Sequence, residues 1–294
     1  MLANALLNMA DVPSGFKSAI VTLLPKKCPN KYPKATRDRV NYRGISVTNS
    51  MSKIIEKAIE TRLTRFIAQV APFSKTQMGF RANMWATLQV QSLLEKIAAG
   101  GKNFLVLFFD LTSAYPSCRR SSLLKSLYNR GVAGPMLRLI GAFYRGTTAK
   151  IRCGGSLSST YQIMNGLKEG SVLSCVIFLS WICDLMDEVH RDKTGDILGY
   201  ADDICALPHR PYTQAQAARL QPDERELLVN RVNPAVQQLG GAQAMLDRIG
   251  AYGFAHMMNW GWLKCAGLLC NPDPDHPSYP DRCEFHMVGM QEKG

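Results

Sequence analysis

Tyr200-Ala201-Asp202-Asp203 lies between two apolar runs, Ile197-Leu198-Gly199 before it and Ile204-Cys205-Ala206-Leu207 after it. Two such runs meeting at a short polar junction predict strand, tight turn, strand. A hairpin of this kind holds adjacent carboxylates at a sheet edge, where a divalent cation can bind. A third acid appears upstream in a matching setting. Asn103-Phe104-Leu105-Val106-Leu107-Phe108-Phe109 reads as a continuous apolar strand, and it ends on Asp110. One acid at a strand end plus a two-acid hairpin is the minimal ligand set for two-metal phosphoryl transfer.

Working outward, the remaining pattern is mixed. Apolar residues at helical period run from Ser50, a candidate cap, to about Val70: Met51, Ile54, Ile55, Ala58, Ile59, Leu63, Phe66, Ile67 and Val70. A helix over about Trp85–Ala99 precedes the strand to Asp110. Helices over Ser121–Arg130 and Pro135–Arg145 each stop at a glycine, Gly131 and Gly146. A hairpin follows, Thr148–Cys153 and Ser159–Ile163, turning at Gly154-Gly155. A buried helix over about Val172–His190 leads into the acidic hairpin. Residues 208–233, with Pro208, Pro211 and Pro222 in Gln- and Ala-rich sequence, read as an irregular insertion. Helical period returns over about Pro234–Tyr252, Ala266–Leu269 reads as a strand, and Phe285–Met290 as a last short one. The expected fold is α+β, with an antiparallel sheet whose neighbouring strands carry the three acids.

The 294 residues carry a net charge of +12, which favours a polyanionic partner, nucleic acid before anionic membrane. Lys26, Lys27, Lys31, Lys34, Arg37, Arg39 and Arg43 crowd a proline-rich stretch that reads either as a phosphate-facing arm or as a solvated loop. No apolar run is long enough to span a bilayer, and no signal peptide is evident. Nine cysteines among apolar neighbours suggest reduced thiols and an intracellular location, cytoplasm or nucleus. Cys265, Cys270, Cys283 and His286 could be zinc ligands, but their spacing lacks the paired CxxC form, and structural thiols are the favoured reading.

With these residues in place, the chain resembles reverse transcriptases of non-LTR (LINE-type) retrotransposons, with group II intron maturases as cousins. The resemblance runs from about Gly15 to Met290. Phe16-Lys17 through Pro25-Lys26-Lys27 is similar to the family's opening strand. Asn41-Tyr42-Arg43-Gly44-Ile45-Ser46 and Ser52-Lys53-Ile54-Ile55-Glu56-Lys57 resemble its YRPIS…SKxxEK segment, and Gln77-Met78-Gly79-Phe80-Arg81 its QxGFR. Asp110 to Tyr115 matches the motif of the first catalytic aspartate, and Gly166 to Phe178 resembles GxxQGxxLSPxxF. Tyr200 to Asp203 is similar to the signature hairpin.

The resemblance implies a right-hand polymerase: fingers over 1–103, palm over 104–294 with its antiparallel sheet flanked by helices, and the 146–170 hairpin at their junction. No stretch reads as a helical thumb, an endonuclease, an RNase H or a zinc-ribbon tail, so a thumbless core is expected. It implies RNA-directed DNA synthesis with an RNA template, a DNA primer, dNTPs and two Mg²⁺ ions, for which Mn²⁺ could substitute. Asp110 and Asp202 would hold both ions, with Asp203 completing the site, because adjacent residues in extended chain point to opposite faces. The backbone at Phe109 and Leu111 would add a carbonyl. Tyr115 would sit under the incoming sugar and exclude a 2′-hydroxyl. Arg43 and Arg81 would face triphosphate and template, Gly166 and Gly170 would allow close approach to the template–nucleotide pair, and Lys264 would donate a proton to pyrophosphate.

The chain also departs from the family. Glu169 stands where the family prefers glutamine, placing a carboxylate beside a triphosphate unless an Arg or Lys compensates. Cys175 and Gly44 replace prolines, and Pro116 replaces a frequent acid. These departures keep a second reading open, a catalytically degenerate or truncated nucleic-acid-binding module. A third, an RNA-dependent RNA polymerase, is disfavoured by Tyr115 and by Tyr-Ala-Asp-Asp in place of a Gly-Asp-Asp turn. The oligomeric state is not legible in the sequence.

Overall fold

The computed structural model describes residues 2–25, 42–100, 104–153, 155–192, 195–208, 242–261 and 265–270. The basic stretch from Lys26 to Arg39, the insertion after Pro208, Lys264, Cys283, His286 and the Phe285–Met290 strand lie outside them. The chain divides into two compact units, each built from two stretches: residues 1–73 with 113–181, and 74–112 with 182–294.

The first unit holds α1 (Leu2–Met9), α2 (Ser14–Lys17), β1 (Ser18–Pro25), β2 (Tyr42–Thr48) and α3 (Ser50–Val70). It continues with α5 (Ala114–Ser117), α6 (Arg120–Asn129), α7 (Gly134–Tyr144), β4 (Thr148–Cys153), β5 (Ser156–Leu157) and β6 (Tyr161–Gln162). Its sheet runs β2-β1-β4-β5, with β6 also on β4. The Tyr42–Thr48 strand and the parallel β1–β4 pairing were not expected from sequence. Local alternation identifies a strand but not a partner more than a hundred residues away, and a parallel pair needs such a long crossover.

Helix α3 has the expected bounds but not the expected face. Its cap is Asn49, whose side chain accepts from the Met51 N–H at 2.8 Å, rather than Ser50. Ile55, Ile59, Leu63 and Ile67 are buried, whereas Met51, Ile54, Phe66 and Val70 are exposed. The stripe follows i, i+4 alone, and Ser52 and Glu56 take the positions beside it. Gly131 and Gly146, at φ +83° and +65°, sit just beyond α6 and α7 as expected of C-terminal glycines.

The second unit holds α4 (Ala86–Gly100), β3 (Phe104–Phe109), β7 (Gly195–Tyr200), β8 (Asp203–Pro208), α9 (Ala242–Ala255) and β9 (Ala266–Cys270). Helix α8 (Val172–Asp192) contributes its residues through Trp181 to the first unit and the rest to the second. It is buried on nearly every side, with Phe178, Trp181, Ile182, Leu185 and Met186 all at 2% exposure or less. The sheet runs β7-β8-β3-β9 and is antiparallel throughout, the architecture expected for the palm. Val106, Leu198, Cys205 and Leu207 form one apolar face, covered by Leu93 and Ile97 of α4. That face fixes the register of β3 on β8, since a slip of one residue would turn its side chains outward.

Candidate functional site

The β3–β8 ladder pairs Leu107 with Ala206, Phe108 with Cys205 and Phe109 with Ile204. Continued one residue past its last pair, this register would set Asp110 opposite Asp203. Directly opposed residues have Cβ atoms about 5 Å apart, so the register gathers two carboxylates at one rim of the sheet. Asp202 occupies the turn between β7 and β8, because Tyr200 pairs with Asp203. Asp110 and Asp202 are partly buried, and Asp203 is exposed. The strand, turn, strand reading is therefore observed, with Asp110 directly after β3, Asp202 in the turn and Asp203 opening β8, on the neighbouring strand.

Ala201 has φ +58°, buried backbone in a region where alanine is uncommon. Of the two central turn residues only Ala201 has positive φ, as at the first central position of a type II′ hairpin turn, which usually holds glycine. Gln77, wholly buried, holds it. Its Oε1 accepts from the Ala201 N–H at 2.8 Å and from the Gly79 N–H at 2.9 Å, and its Nε2 donates to the Ala201 carbonyl at 3.1 Å. The second Nε2 proton meets Met186 Sδ at 3.8 Å. The backbone beside it is stitched to β7: Met78 N–H donates to Gly199 O, and Gly199 N–H to Thr76 O, both at 2.9 Å. Gly199 is required here, since a Cβ would lie 2.6 Å from Gln77 Nε2. Arg81 supports the same segment, its Nη1 donating to the carbonyls of Ser74 and Gln77 at 2.9 Å each.

Asp110 is framed on its other side by a segment that the sequence reading passed over. Thr112 N–H donates to Asn259 O and Gly261 N–H to Asp110 O, both at 2.7 Å. These bonds flank the bridge between Leu111 and Trp260. In that pattern the backbone groups of Leu111 point away from Trp260, which leaves its carbonyl directed toward the β8 side. A Cβ on Gly261 would come within 2.8 Å of Asp110 Oδ2, so only glycine leaves that carboxylate its place. Gly261 carried no periodic or motif signal of its own, and Asn259 entered the sequence reading only as an asparagine two residues further from Lys264 than the family's.

A divalent hard cation fits this donor set, which is all oxygen and gathered at one rim. Among the described residues no three His, Cys, Asp or Glu side chains converge closely enough to hold a metal ion by themselves. Mg²⁺ commonly takes only one or two carboxylates together with phosphate and water oxygens. Cys265 and Cys270 belong to no such group among the described residues.

The other residues singled out from sequence, Tyr115, Arg43, Glu169 and Gly170, belong to the first unit. The Tyr115 ring stacks on Phe178 with centroids 4.9 Å apart, and its hydroxyl donates toward Cys175 Sγ at 3.8 Å. Burial pushes the Cys175 thiol pKa up, so it stays protonated. The two glycines meet the protein's own backbone. Gly166, at φ +80°, would place a Cβ 2.4 Å from Pro116 O, and Gly170, at φ +106°, would place one 2.5 Å from Ser46 O. The Glu169 carbonyl accepts from Ser46 N–H at 2.8 Å. The SKxxEK-like residues explain why this loop is fixed. Glu56, 1% exposed, accepts from Ser52 Oγ at 3.0 Å and from Ser171 Oγ at 2.6 Å. Lys168 beside it is 3% exposed, and burial lowers its pKa while Glu56 opposes that shift.

The charge at Glu169 has a counter-ion. Arg43 Nε lies 4.0 Å from Glu169 Oε2, on a side chain 69% exposed. So loose and solvated a pair is worth under about 1 kcal/mol, and it offsets the added carboxylate only in part. If the site takes a nucleoside triphosphate, as the resemblance implies, Glu169→Gln should lower its KM about threefold with little change in kcat, measured by steady-state incorporation; an unchanged or higher KM would show that Arg43 already neutralises the added charge.

Comparison with known proteins agrees with these features. Residues 29–220 match the family described as reverse transcriptase (RNA-dependent DNA polymerase). Over 209 residues the chain is 23% identical to the probable RNA-directed DNA polymerase from transposon X-element of Drosophila melanogaster, covering 70% of this chain and 22% of that protein. It is 26% identical over 219 residues to the RNA-directed DNA polymerase from mobile element jockey of Drosophila funebris, covering 70% and 23%. The chain thus spans under a quarter of the length of the curated relatives it matches. Among solved structures it is similar to telomerase from Candida albicans in complex with a fragment of telomeric RNA (TM-score 0.56, 8% identity, 97% of this chain and 47% of that one). It is also similar to apo telomerase from Candida tropicalis (TM-score 0.54, 12% identity, 93% and 55%). These two likenesses concern the fold.

Proposed function

We infer function from one established premise: the chain belongs to the reverse transcriptase (RNA-dependent DNA polymerase) family. We propose that it is the RNA-directed DNA polymerase core of a non-LTR retroelement, extending a DNA primer on an RNA template with dNTPs. Fingers over about 1–103 and palm over 104–294 form part of the same proposal. The observation that supports it is the β3–β8 register, whose last pair is Phe109 with Ile204, so that Asp110 and Asp203 follow at the same end of neighbouring strands, with Asp202 in the β7–β8 turn.

In this reading Asp110 and Asp202 are the principal metal ligands, Asp203 completes the site, and the Leu111 carbonyl adds a backbone oxygen. Asp202 is the less exposed of the hairpin pair, which supports its assignment as the inner ligand. When bound, two Mg²⁺ ions (or Mn²⁺) supply Lewis-acid stabilisation of the phosphates and acidify the primer 3′ hydroxyl. The protein's own part is to fix the carboxylates, orient the nucleotide and exclude ribose. Tyr115, its ring immobilised by Phe178, is suited to reject a 2′-hydroxyl by contact. Arg43, loosely paired with Glu169 and 69% exposed, is assigned to phosphate oxygens, and Arg81, whose Nη1 donates to the Ser74 and Gln77 carbonyls, is assigned the same role with its remaining donors. Lys264 keeps its assignment as proton donor to pyrophosphate. The net charge of +12 suits a phosphate backbone. No helix among the described residues is long and apolar enough to cross a membrane. The assignment to cytoplasm or nucleus rests on the reading of the nine cysteines as reduced thiols.

The test is primer extension on poly(rA) with dTTP and Mg²⁺, beside the same reaction with ribonucleotides. The expected result is incorporation of deoxynucleotide with discrimination against ribonucleotide. RNA binding without incorporation would replace this reading by the degenerate module that Glu169 favours. Equal use of UTP would replace it by an RNA polymerase.

A further inference from the structure

We propose that Gln77 is the positioning residue of the acidic hairpin: its buried carboxamide holds Ala201 in the left-handed conformation and so sets where Asp202 and Asp203 stand relative to Asp110. The proposal rests on the reading of the three aspartates as a metal site.

Three observations carry it. First, the carboxamide is fully used. A primary amide has two donors and an oxygen that accepts twice. Here both donors and both acceptor sites have partners: Ala201 O and Met186 Sδ for Nε2, Ala201 N–H and Gly79 N–H for Oε1. The orientation of the amide is fixed by this set. Turning it over would aim its N–H groups at the N–H groups of Ala201 and Gly79, and its oxygen at the Ala201 carbonyl.

Second, what Gln77 grips is the strained residue itself. It takes both backbone groups of Ala201, donor and acceptor, as a neighbouring strand would. Ala201 has positive φ and a Cβ, so the conformation is disfavoured for the isolated turn. A non-glycine residue persists there only when its surroundings over-determine it. The next residue is Asp202. A rotation of the Ala201 peptide moves the Asp202 backbone from which that carboxylate projects.

Third, the surroundings are shaped for this one side chain. Gly199 has no Cβ where Gln77 Nε2 lies, and Gly79 has none where the Ala201 backbone lies. Residues 76–78 are themselves bonded to Gly199 on both sides. Gln77 is wholly buried, so it does not touch substrate and acts through the turn.

A residue supporting a metal ligand from behind typically costs about 10- to 100-fold in metal affinity when it is removed. The experiment compares wild type, Gln77→Met, Gln77→Glu, Ala201→Gly, the double variant Gln77→Met/Ala201→Gly, and Asp202→Asn. Binding of Mn²⁺ alone is followed by electron paramagnetic resonance, and amide exchange is followed at Ala201. Gln77→Met keeps the length and removes every polar contact. It should weaken Mn²⁺ binding about tenfold or more and speed exchange at Ala201, while the sheet amides of β3 and β8 stay protected. It should lower kcat more than it raises KM for dTTP. Ala201→Gly relieves the conformational cost at that position, so the double variant should recover part of the Mn²⁺ affinity, a coupling that a general packing defect would not give. Should Gln77→Met fail to fold, Gln77→Glu retains the acceptor for both N–H groups and should show a smaller loss in the same direction.

Wild-type Mn²⁺ affinity and unchanged Ala201 exchange in a folded Gln77 variant would overturn the proposal. So would loss of protection throughout the sheet with no recovery in the double variant. A wild type that binds Mn²⁺ no better than Asp202→Asn would instead overturn the metal site, and the positioning role would fall with it. That outcome is recognisable because the Asp202→Asn comparison does not involve Gln77.

Discussion

Asp202→Asn should abolish primer extension, with a fall of at least about a thousandfold in incorporation of dTTP on poly(rA), equivalent to roughly 4 kcal/mol of lost transition-state stabilisation. An amide is nearly isosteric with the carboxylate, so the backbone of the turn should not move. What it lacks is charge, and metal-assisted transfer draws several kcal/mol from charge held at the ligands. Asp110→Asn should do the same. Asp203→Asn should cost less, since Asp203 is the more exposed of the hairpin pair and the completing ligand in the proposed set. The stability effect should have the opposite sign. The register continued past its last pair would set Asp203 opposite Asp110, and Asp202 adjoins Asp203, so removing one charge relieves repulsion. The melting temperature of Asp202→Asn should therefore equal or exceed that of the wild type. Full activity in Asp202→Asn would remove the hairpin from the site; loss of activity together with a fallen melting temperature would point to misfolding instead.

Most of this site was legible in the sequence because its parts announce themselves locally. A carboxylate after six apolar residues, and two carboxylates between two apolar runs, are patterns of adjacent residues, and the antiparallel register then follows from burying one face. Helix α3 was legible in its bounds for the same reason, and less so in its exposed face, because periodicity cannot distinguish Ile55, which is buried, from Ile54, which is exposed. The residues that hold the site were not legible. Gln77 stands 124 positions from Ala201, and Gly261 is far along the chain from Asp110. Nothing in the local pattern around any of these residues says which backbone it will meet. Gly166 and Gly170 show a related limit. They were read as glycines that allow close approach to a template–nucleotide pair, whereas the surfaces a Cβ would meet there are Pro116 and Ser46 of the protein itself. The Glu169 departure was visible as a residue type, whereas its Arg43 counter-ion depended on how β2 lies beside the loop.

Gly79→Ala should be almost as damaging to activity as loss of an aspartate, although it adds one methyl group and touches no acid. A Cβ at Gly79 would lie 2.1 Å from Ala201 N, 2.8 Å from Ala201 Cα and 2.9 Å from Tyr200 C, all of them backbone. Side chains can step aside from such an overlap, but two hydrogen-bonded backbone segments cannot. Gly79 itself has no positive φ, so the whole penalty comes from contact. Relief requires the 77–79 segment and the hairpin turn to separate by roughly 1 Å, and a misplacement of that size at a reacting centre costs on the order of a hundredfold in rate. Overpacking of this kind costs about 1–3 kcal/mol of stability, so the variant should remain folded at 20 °C with a melting temperature lower by several degrees. Gly15→Ala is the matched control. Its Cβ meets nothing within 4 Å, it lies in α2, and it should leave both activity and stability close to wild type. The decisive quantity is kcat at 20 °C, where both variants are folded. If Gly79→Ala loses only the activity its small unfolded fraction accounts for, the turn tolerates displacement and the acids are not held from behind. If it loses about a hundredfold while fully folded, the backbone of Ala201 must be controlling where Asp202 stands.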